Sequence, residues 1–108
     1  MTTELPHPET AEIELVAVLA ALADPVRLAI VRELARDGER ACGTFDAGLS
    51  RSTMSHHFRT LREAGVTRVR VSGTFKLTTL RRADLDARFP GLLDSVLVPA
   101  ADVVAPTA

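Results

Sequence analysis

The sequence predicts a mainly α-helical domain with a small β-hairpin, and three observations carry that expectation. Apolar residues recur at three- and four-residue spacing in stretches before residue 65, the signature of amphipathic helices. Residues 67 to 79 then switch to a period of two on both sides of Ser72-Gly73-Thr74, the pattern of a hairpin. With 108 residues, 46% hydrophobic and 25% charged, the chain suits a single domain with a true core and leaves no room for a second, substrate-binding unit.

The elements follow in order. Residues 1–9, with Pro6, Pro8 and little apolar content, are expected to form a mobile N-terminal tail, and residues 99–108 a mobile C-terminal one, leaving 10–98 as the domain. A first helix starts at Thr10 as N-cap, with Ile13, Val16, Leu19 and Ala20 on one stripe that Leu15 and Leu22 widen. So broad an apolar face calls for two partners, its own core and a second copy of the chain. Asp24 caps the second helix and Pro25 occupies its first position, where a missing N–H costs nothing; the helix runs to about Arg36, and Gly38 stops it. Residues 41–48, ACGTFDAG, read as a short helix of about two turns. Ser50 and Thr53 bracket the start of a helix over 51–64, ended by Gly65. Beyond the hairpin, Leu85, Phe89, Leu92 and Val96 continue at helical spacing, with a break at Pro90-Gly91.

The net charge of −1 conceals a strong asymmetry. Residues 1–50 carry −5 and residues 83–108 carry −3, whereas 51–82 hold eight Lys or Arg against Glu63 alone, giving +7. A basic block of this kind is the electrostatic footprint of a polyanion partner, because each cation that neutralises a phosphate releases a condensed counterion. The nine-residue apolar run from Leu15 to Ala23 is too short for a membrane span and follows acidic residues, unlike a signal peptide. A lone cysteine cannot form an internal disulfide and suits a reducing compartment, so a cytoplasmic location is expected.

At about 100° per residue, Met54, Phe58 and Leu61 of the 51–64 helix share a core-facing side. Ser52, His56 and Arg59 lie opposite, flanked by Arg51, Thr53 and Ser55. No acidic residue precedes Glu63, whereas an ordinary exposed helix mixes signs. Hydroxyls and guanidinium groups are the chemistry that reads a major groove: Arg donates two hydrogen bonds to guanine, and hydroxyls reach bases or phosphates. His57 borders the core by angle and reads as a packed, hydrogen-bonded histidine. Arg68, Arg70 and Lys76 are expected to project from the polar face of the hairpin as a second basic contact. Helix, turn, recognition helix and basic hairpin in this order make a winged helix-turn-helix, with duplex DNA as the partner.

The segments LADPVRLAIVREL and SRSTMSHHFRTLREAGVTRVRVSGTFKL resemble the ArsR/SmtB family of bacterial transcriptional repressors over residues 15–80. The resemblance implies a homodimer built through its first and last helices. It would bind a palindromic operator with helix 51–64 in the major groove and wing 67–79 on the flanking backbone or minor groove. By position it assigns groove reading to Ser52, Thr53, Ser55, His56 and Arg59, and the wing to the segment from Arg68 to Lys76.

Many relatives release DNA on binding metal through a cysteine pair or a His/Asp set on the last helix, and this sequence departs from both. Cys42 stands alone, and a single thiolate cannot complete a closed tetrahedral site. No histidine follows Arg81. His7 with Glu9 or Glu12 is the remaining candidate for nickel or zinc, and the inducer stays unassigned. Cys42 reads as a small buried hydrophobe in preference to a redox switch. An enzyme is disfavoured, since the chain carries no glycine-rich phosphate loop, HExxH or GxSxG. A winged-helix module for protein partners would carry acidic or apolar residues where this helix is basic.

Overall fold

The structure is a computed structural model, and it describes residues 2–98. Its helices are α1 (Leu15–Leu22), α2 (Pro25–Asp37), α3 (Arg51–Glu63), α4 (Arg82–Arg88) and α5 (Leu92–Val96). Its strands are β1 (Thr2–Glu4), β2 (Arg40–Ala41), β3 (Thr67–Ser72) and β4 (Phe75–Leu80), joined antiparallel in the order β1-β3-β4-β2. The fold is therefore mainly α with a small antiparallel hairpin, as the sequence predicts, but the hairpin has recruited a strand on each edge.

That recruitment corrects the expected N-terminal tail. The β3 edge presents unpaired N–H and C=O groups, and residues 2–4 pair with Arg70–Ser72 to satisfy them. The Leu5 N–H continues the ladder by donating to the Val69 carbonyl at 2.8 Å. Three arginines then hold the following segment by its carbonyls: Arg62 on Pro6 (2.5 Å), Arg81 on Pro8 (2.7 Å) and Arg88 on Ile13 (2.5 Å). Low apolar content misled the sequence reading here, since backbone pairing and donated hydrogen bonds need no apolar side chain. The expected tail at 99–108 lies outside the described residues.

The first helix is also later than expected. Residues 10–12 form a 3-10 turn with a capping box between Glu9 and Glu12, and extended backbone at Ile13 and Glu14 separates it from α1. This break shifts the helical phase. Ile13, Val18, Ala21 and Leu22 face the core, whereas Leu15, Val16 and Leu19 of the anticipated stripe face outward, Val16 with 76% of its surface exposed.

The start of α2 matches the sequence reading: the Asp24 carboxylate accepts from the N–H groups of Val26 (2.9 Å) and Arg27 (3.1 Å), with Pro25 in the first turn. Residues 41–48, by contrast, are not a helix. Arg40 and Ala41 are drawn onto the β4 edge opposite Thr78 and Leu77, and only a 3-10 turn at Cys42–Thr44 follows. Gly48 at φ 68° is a conformation a helix does not use. The core gathers Ile30, Val31 and Leu34 of α2, Leu61 of α3 and Val66, with Leu85 of α4 and Leu93 of α5 closing it. No helix among the described residues is long and apolar enough to cross a membrane.

Candidate nucleic-acid interface

Helix α3 begins at Ser50, whose hydroxyl accepts from the Thr53 N–H at 3.2 Å. Phe58 and Leu61 are buried and Met54 half-buried, while Arg51, Ser52, Thr53, Ser55, His56 and Arg59 are exposed. The predicted division of this helix into a core side and a polar side therefore stands.

Two contacts fix its orientation. Phe45, just after the 3-10 turn, packs edge-on against Phe58 with ring centroids 5.4 Å apart. The Arg40 guanidinium lies 4.0 Å from the Phe45 ring and donates to the Thr44 carbonyl at 2.8 Å, so the connecting segment is pinned although it is not helical. The second contact is a bridge that the sequence reading missed. Arg27 donates from Nε to the Ala21 carbonyl (2.6 Å) and from a terminal nitrogen to the Ala20 carbonyl (3.3 Å), both at the end of α1. Its other terminal nitrogen lies 3.1 Å from His57 Nδ1. Guanidinium has no acceptor, so Nδ1 accepts and the neutral ring carries its proton on Nε2. His57 is thus a buried linker between α2 and α3, in line with its predicted packing role.

The wing turns through Gly73-Thr74, with Ser72 paired to Phe75. Gly73 has φ 61° and, among the described residues, no non-glycine residue has positive φ, which makes this the II′ type of two-residue turn. The register corrects the expectation that Arg68, Arg70 and Lys76 share one face. Lys76 lies opposite Val71 and so on the side of Val69 and the buried Thr78, whereas Arg68 and Arg70 lie opposite Thr79 and Leu77 on the other side. Side chains alternate along a strand, so 68 and 70 in one strand cannot share a face with 76 in this register.

The two arginines are also neutralised within the chain. Arg70 makes two hydrogen bonds to Glu39 at 2.6 and 2.9 Å, and that guanidinium holds the Glu39 carboxyl below its usual range. Arg68 Nε lies 2.7 Å from a Glu4 oxygen without the alignment of a hydrogen bond, and its terminal nitrogen lies 3.5 Å from Asp84. Arg81 is buried and pairs with Asp84 at 3.0 Å. Burial presses the Asp84 carboxyl upward, but hydrogen bonds from Arg81 and Thr10, with the charges of Arg81 and Arg68, outweigh it and leave the group below the ordinary range. Arg82 pairs with Asp86 at 3.5 Å and with Asp94. Of the eight cations between 51 and 82, only Arg51, Arg59 and Lys76 have no hydrogen-bonding or ionic partner among the described residues. Arg51 and Arg59 of α3 and Lys76 of the wing line the same groove.

A family model described as a helix-turn-helix domain matches residues 22–70. An uncharacterized HTH-type transcriptional regulator of Bacillus subtilis (strain 168), YceK, is 38% identical over 82 residues, which span 73% of this chain and 82% of the relative. Among solved structures, a possible transcriptional regulator for arsenical resistance is 30% identical with a TM-score of 0.61, over 85% of this chain and 100% of that one. An ArsR family transcriptional regulator superposes with the same TM-score of 0.61 at 24% identity, over 75% of this chain and 90% of that one. The chain belongs to the ArsR family. The transcriptional repressor BigR from Xylella fastidiosa is a further neighbour, 26% identical with a TM-score of 0.59 over 79% of this chain and 87% of that one. This ArsR-family protein is a transcriptional regulator with a winged helix-turn-helix, not an enzyme.

The remaining sequence candidates fall elsewhere in the regulator. His7 donates from Nδ1 to the Leu5 carbonyl (3.0 Å) and faces Glu4 at 3.4 Å, instead of the expected Glu9 or Glu12. The strand at residues 2–4 sets this geometry, and among the described residues no cluster of three or more His, Cys, Asp or Glu stands ready to hold a metal ion. Cys42 is half-buried against the core, and burial pushes its thiol up, away from the reactive thiolate.

Proposed function

We propose that this regulator is a homodimeric repressor that binds a palindromic operator, with α3 in the major groove and the wing over the adjoining backbone. The unengaged trio Arg51, Arg59 and Lys76 carries the reading. In a chain that pairs the rest of its basic block internally, three cations left around one groove are available to phosphates and base edges. Ser52, Thr53, Ser55 and His56 supply exposed donors and acceptors between them. Arg68 and Arg70 leave the interface in this reading and act as ties within the sheet.

The outward apolar residues Leu15, Val16 and Leu19 support dimerisation, because a single α3 contacts too few bases to be selective. Two-fold symmetry would set two heads about one helical turn, roughly 34 Å, apart on the duplex. Operator selection from a random-sequence library, followed by titration of Arg59→Ala, tests the proposal. Loss of about 1–3 kcal/mol on the selected operator, and less on random DNA, is the outcome for a bidentate base contact. Equal loss on both makes Arg59 a phosphate contact, and a library that yields no enriched sequence refutes operator recognition.

A further inference from the structure

The groove between recognition helix and wing has a chemistry that duplex DNA alone does not explain. It is a half-open cleft of about 820 Å³, lined in part by the 3-10 turn at Cys42–Thr44. This is within the ~300–1,000 Å³ of sites that take drug-sized molecules. Its floor is apolar, with Cys42, Met54, Phe58 and Val69. Leu49 and Phe75 stand at its edges 42% and 61% exposed, large apolar surfaces left in water on a segment otherwise rich in cations. The charged residues lining it are Arg51, Arg59, Arg62 and Lys76, with no carboxylate among them.

We infer that this groove binds an organic anion with an apolar body, of the alkyl carboxylate class. Two requirements select that occupant. A phosphodiester strand would satisfy the guanidinium groups and the lysine but leave the apolar surfaces of Leu49, Met54 and Phe75 uncovered. A neutral hydrocarbon would fill the floor and strand desolvated cations beside it. A medium-chain alkyl carboxylate meets both: its head takes charge-assisted hydrogen bonds from arginine and its tail covers Met54, Phe58 and Phe75. A metal ion is a poor fit, because the one thiol has no carboxylate or imidazole beside it in the groove.

The site has a regulatory consequence that rests on the DNA reading above. Arg51, Arg59 and Lys76 cannot serve a ligand carboxylate and duplex phosphates together, so each ligand lowers affinity for the other by the same factor.

Binding to the full chain without DNA tests the site independently of that reading. Decanoate, decanol and butyrate are titrated separately, below the concentration at which decanoate forms micelles, and amide chemical shifts are followed by NMR. Decanoate is expected to shift Met54, Phe58, Val69 and Phe75 in a saturable way, with butyrate and decanol at least about tenfold weaker because each lacks one half of the match. Phe75→Ala, at an exposed position, should weaken decanoate several-fold without unfolding the protein. Failure of decanoate to shift these residues, equal binding of decanol, or shifts confined to Leu15, Val16 and Leu19 would overturn the inference. If decanoate binds the groove and the protein has no duplex affinity, the ligand site stands and the operator reading falls. If operator DNA binds and decanoate does not, the reverse holds.

Discussion

Lys76 and Arg70 are both wing cations within a few residues of each other, yet the structure gives them opposite roles. Lys76 is exposed on the side of the groove, whereas Arg70 is held by two hydrogen bonds to Glu39 on the other side of the sheet. Counterion release converts this difference into a measurable slope. Each phosphate neutralised contributes about −0.9 to the slope of log affinity against log salt, so losing one contact from each protomer of a dimer flattens it by about 1.8. Between about 50 and 200 mM salt, the wild type should lose roughly 12-fold more affinity than Lys76→Ala. The double variant Glu39→Ala/Arg70→Ala removes a net-neutral pair and should keep the wild-type slope. Fluorescence anisotropy of a labelled duplex over a salt series reads both. An unchanged slope in Lys76→Ala removes the wing from the interface. A flattened slope in the double variant would show that Arg70 leaves Glu39 for a phosphate on binding.

Further outcomes follow from the same geometry. Gly65→Ala should cost roughly 2–5 kcal/mol in urea denaturation, from left-handed backbone strain and overpacking together. The residue has φ +87°, and an added Cβ would lie 2.6 Å from Ile13 Cγ1. Ile13→Ala in that background should recover the overlap part when compared with Ile13→Ala alone, and full additivity would show that Ile13 is not the obstacle. Asp24→Ala, which removes the cap of α2, should cost about 0.5–2 kcal/mol, and an unchanged melting temperature would deny the cap its role. Val16→Glu should yield monomers by sedimentation and weaken duplex binding; a dimer that persists would place the interface elsewhere. Asp24, Asp37, Glu39 and Asp84 all titrate below their ordinary values, 3.8 for Asp and 4.5 for Glu. A depressed folded value stabilises fully above the unfolded value and is lost as pH falls through the folded one. These groups should therefore add nothing to the pH dependence near neutrality and lose their stabilisation below about pH 4, and thermal melts that stay constant down to pH 2 would contradict the pairing.

Local rules made several features legible without coordinates. The Asp24-Pro25 start of α2, the extent of α3 and the tight turn at Gly73 are all set within four or five neighbouring residues. The inward side of α3 was equally readable, because a 3.6-residue period fixes which side chains share a face once the helix exists. The basic block was visible as a sum of charges, but a sum does not tell which cations are already engaged.

That last division needed the tertiary structure, for a physical reason. Glu39 reaches Arg70 from 31 positions away and Glu4 reaches Arg68 from 64, separations at which no local pattern exists. The N-terminal strand and the 40–41 strand form because hairpin edges carry unsatisfied backbone groups, a property of the assembled sheet that is absent from the composition of either segment. The same assembly set the phase of α1, turning Val16 outward once Ile13 was anchored beneath Gly65. Sequence alone thus determined the local elements and the polarity of the reading helix. Long-range pairing decided which of its charges remain available to a partner.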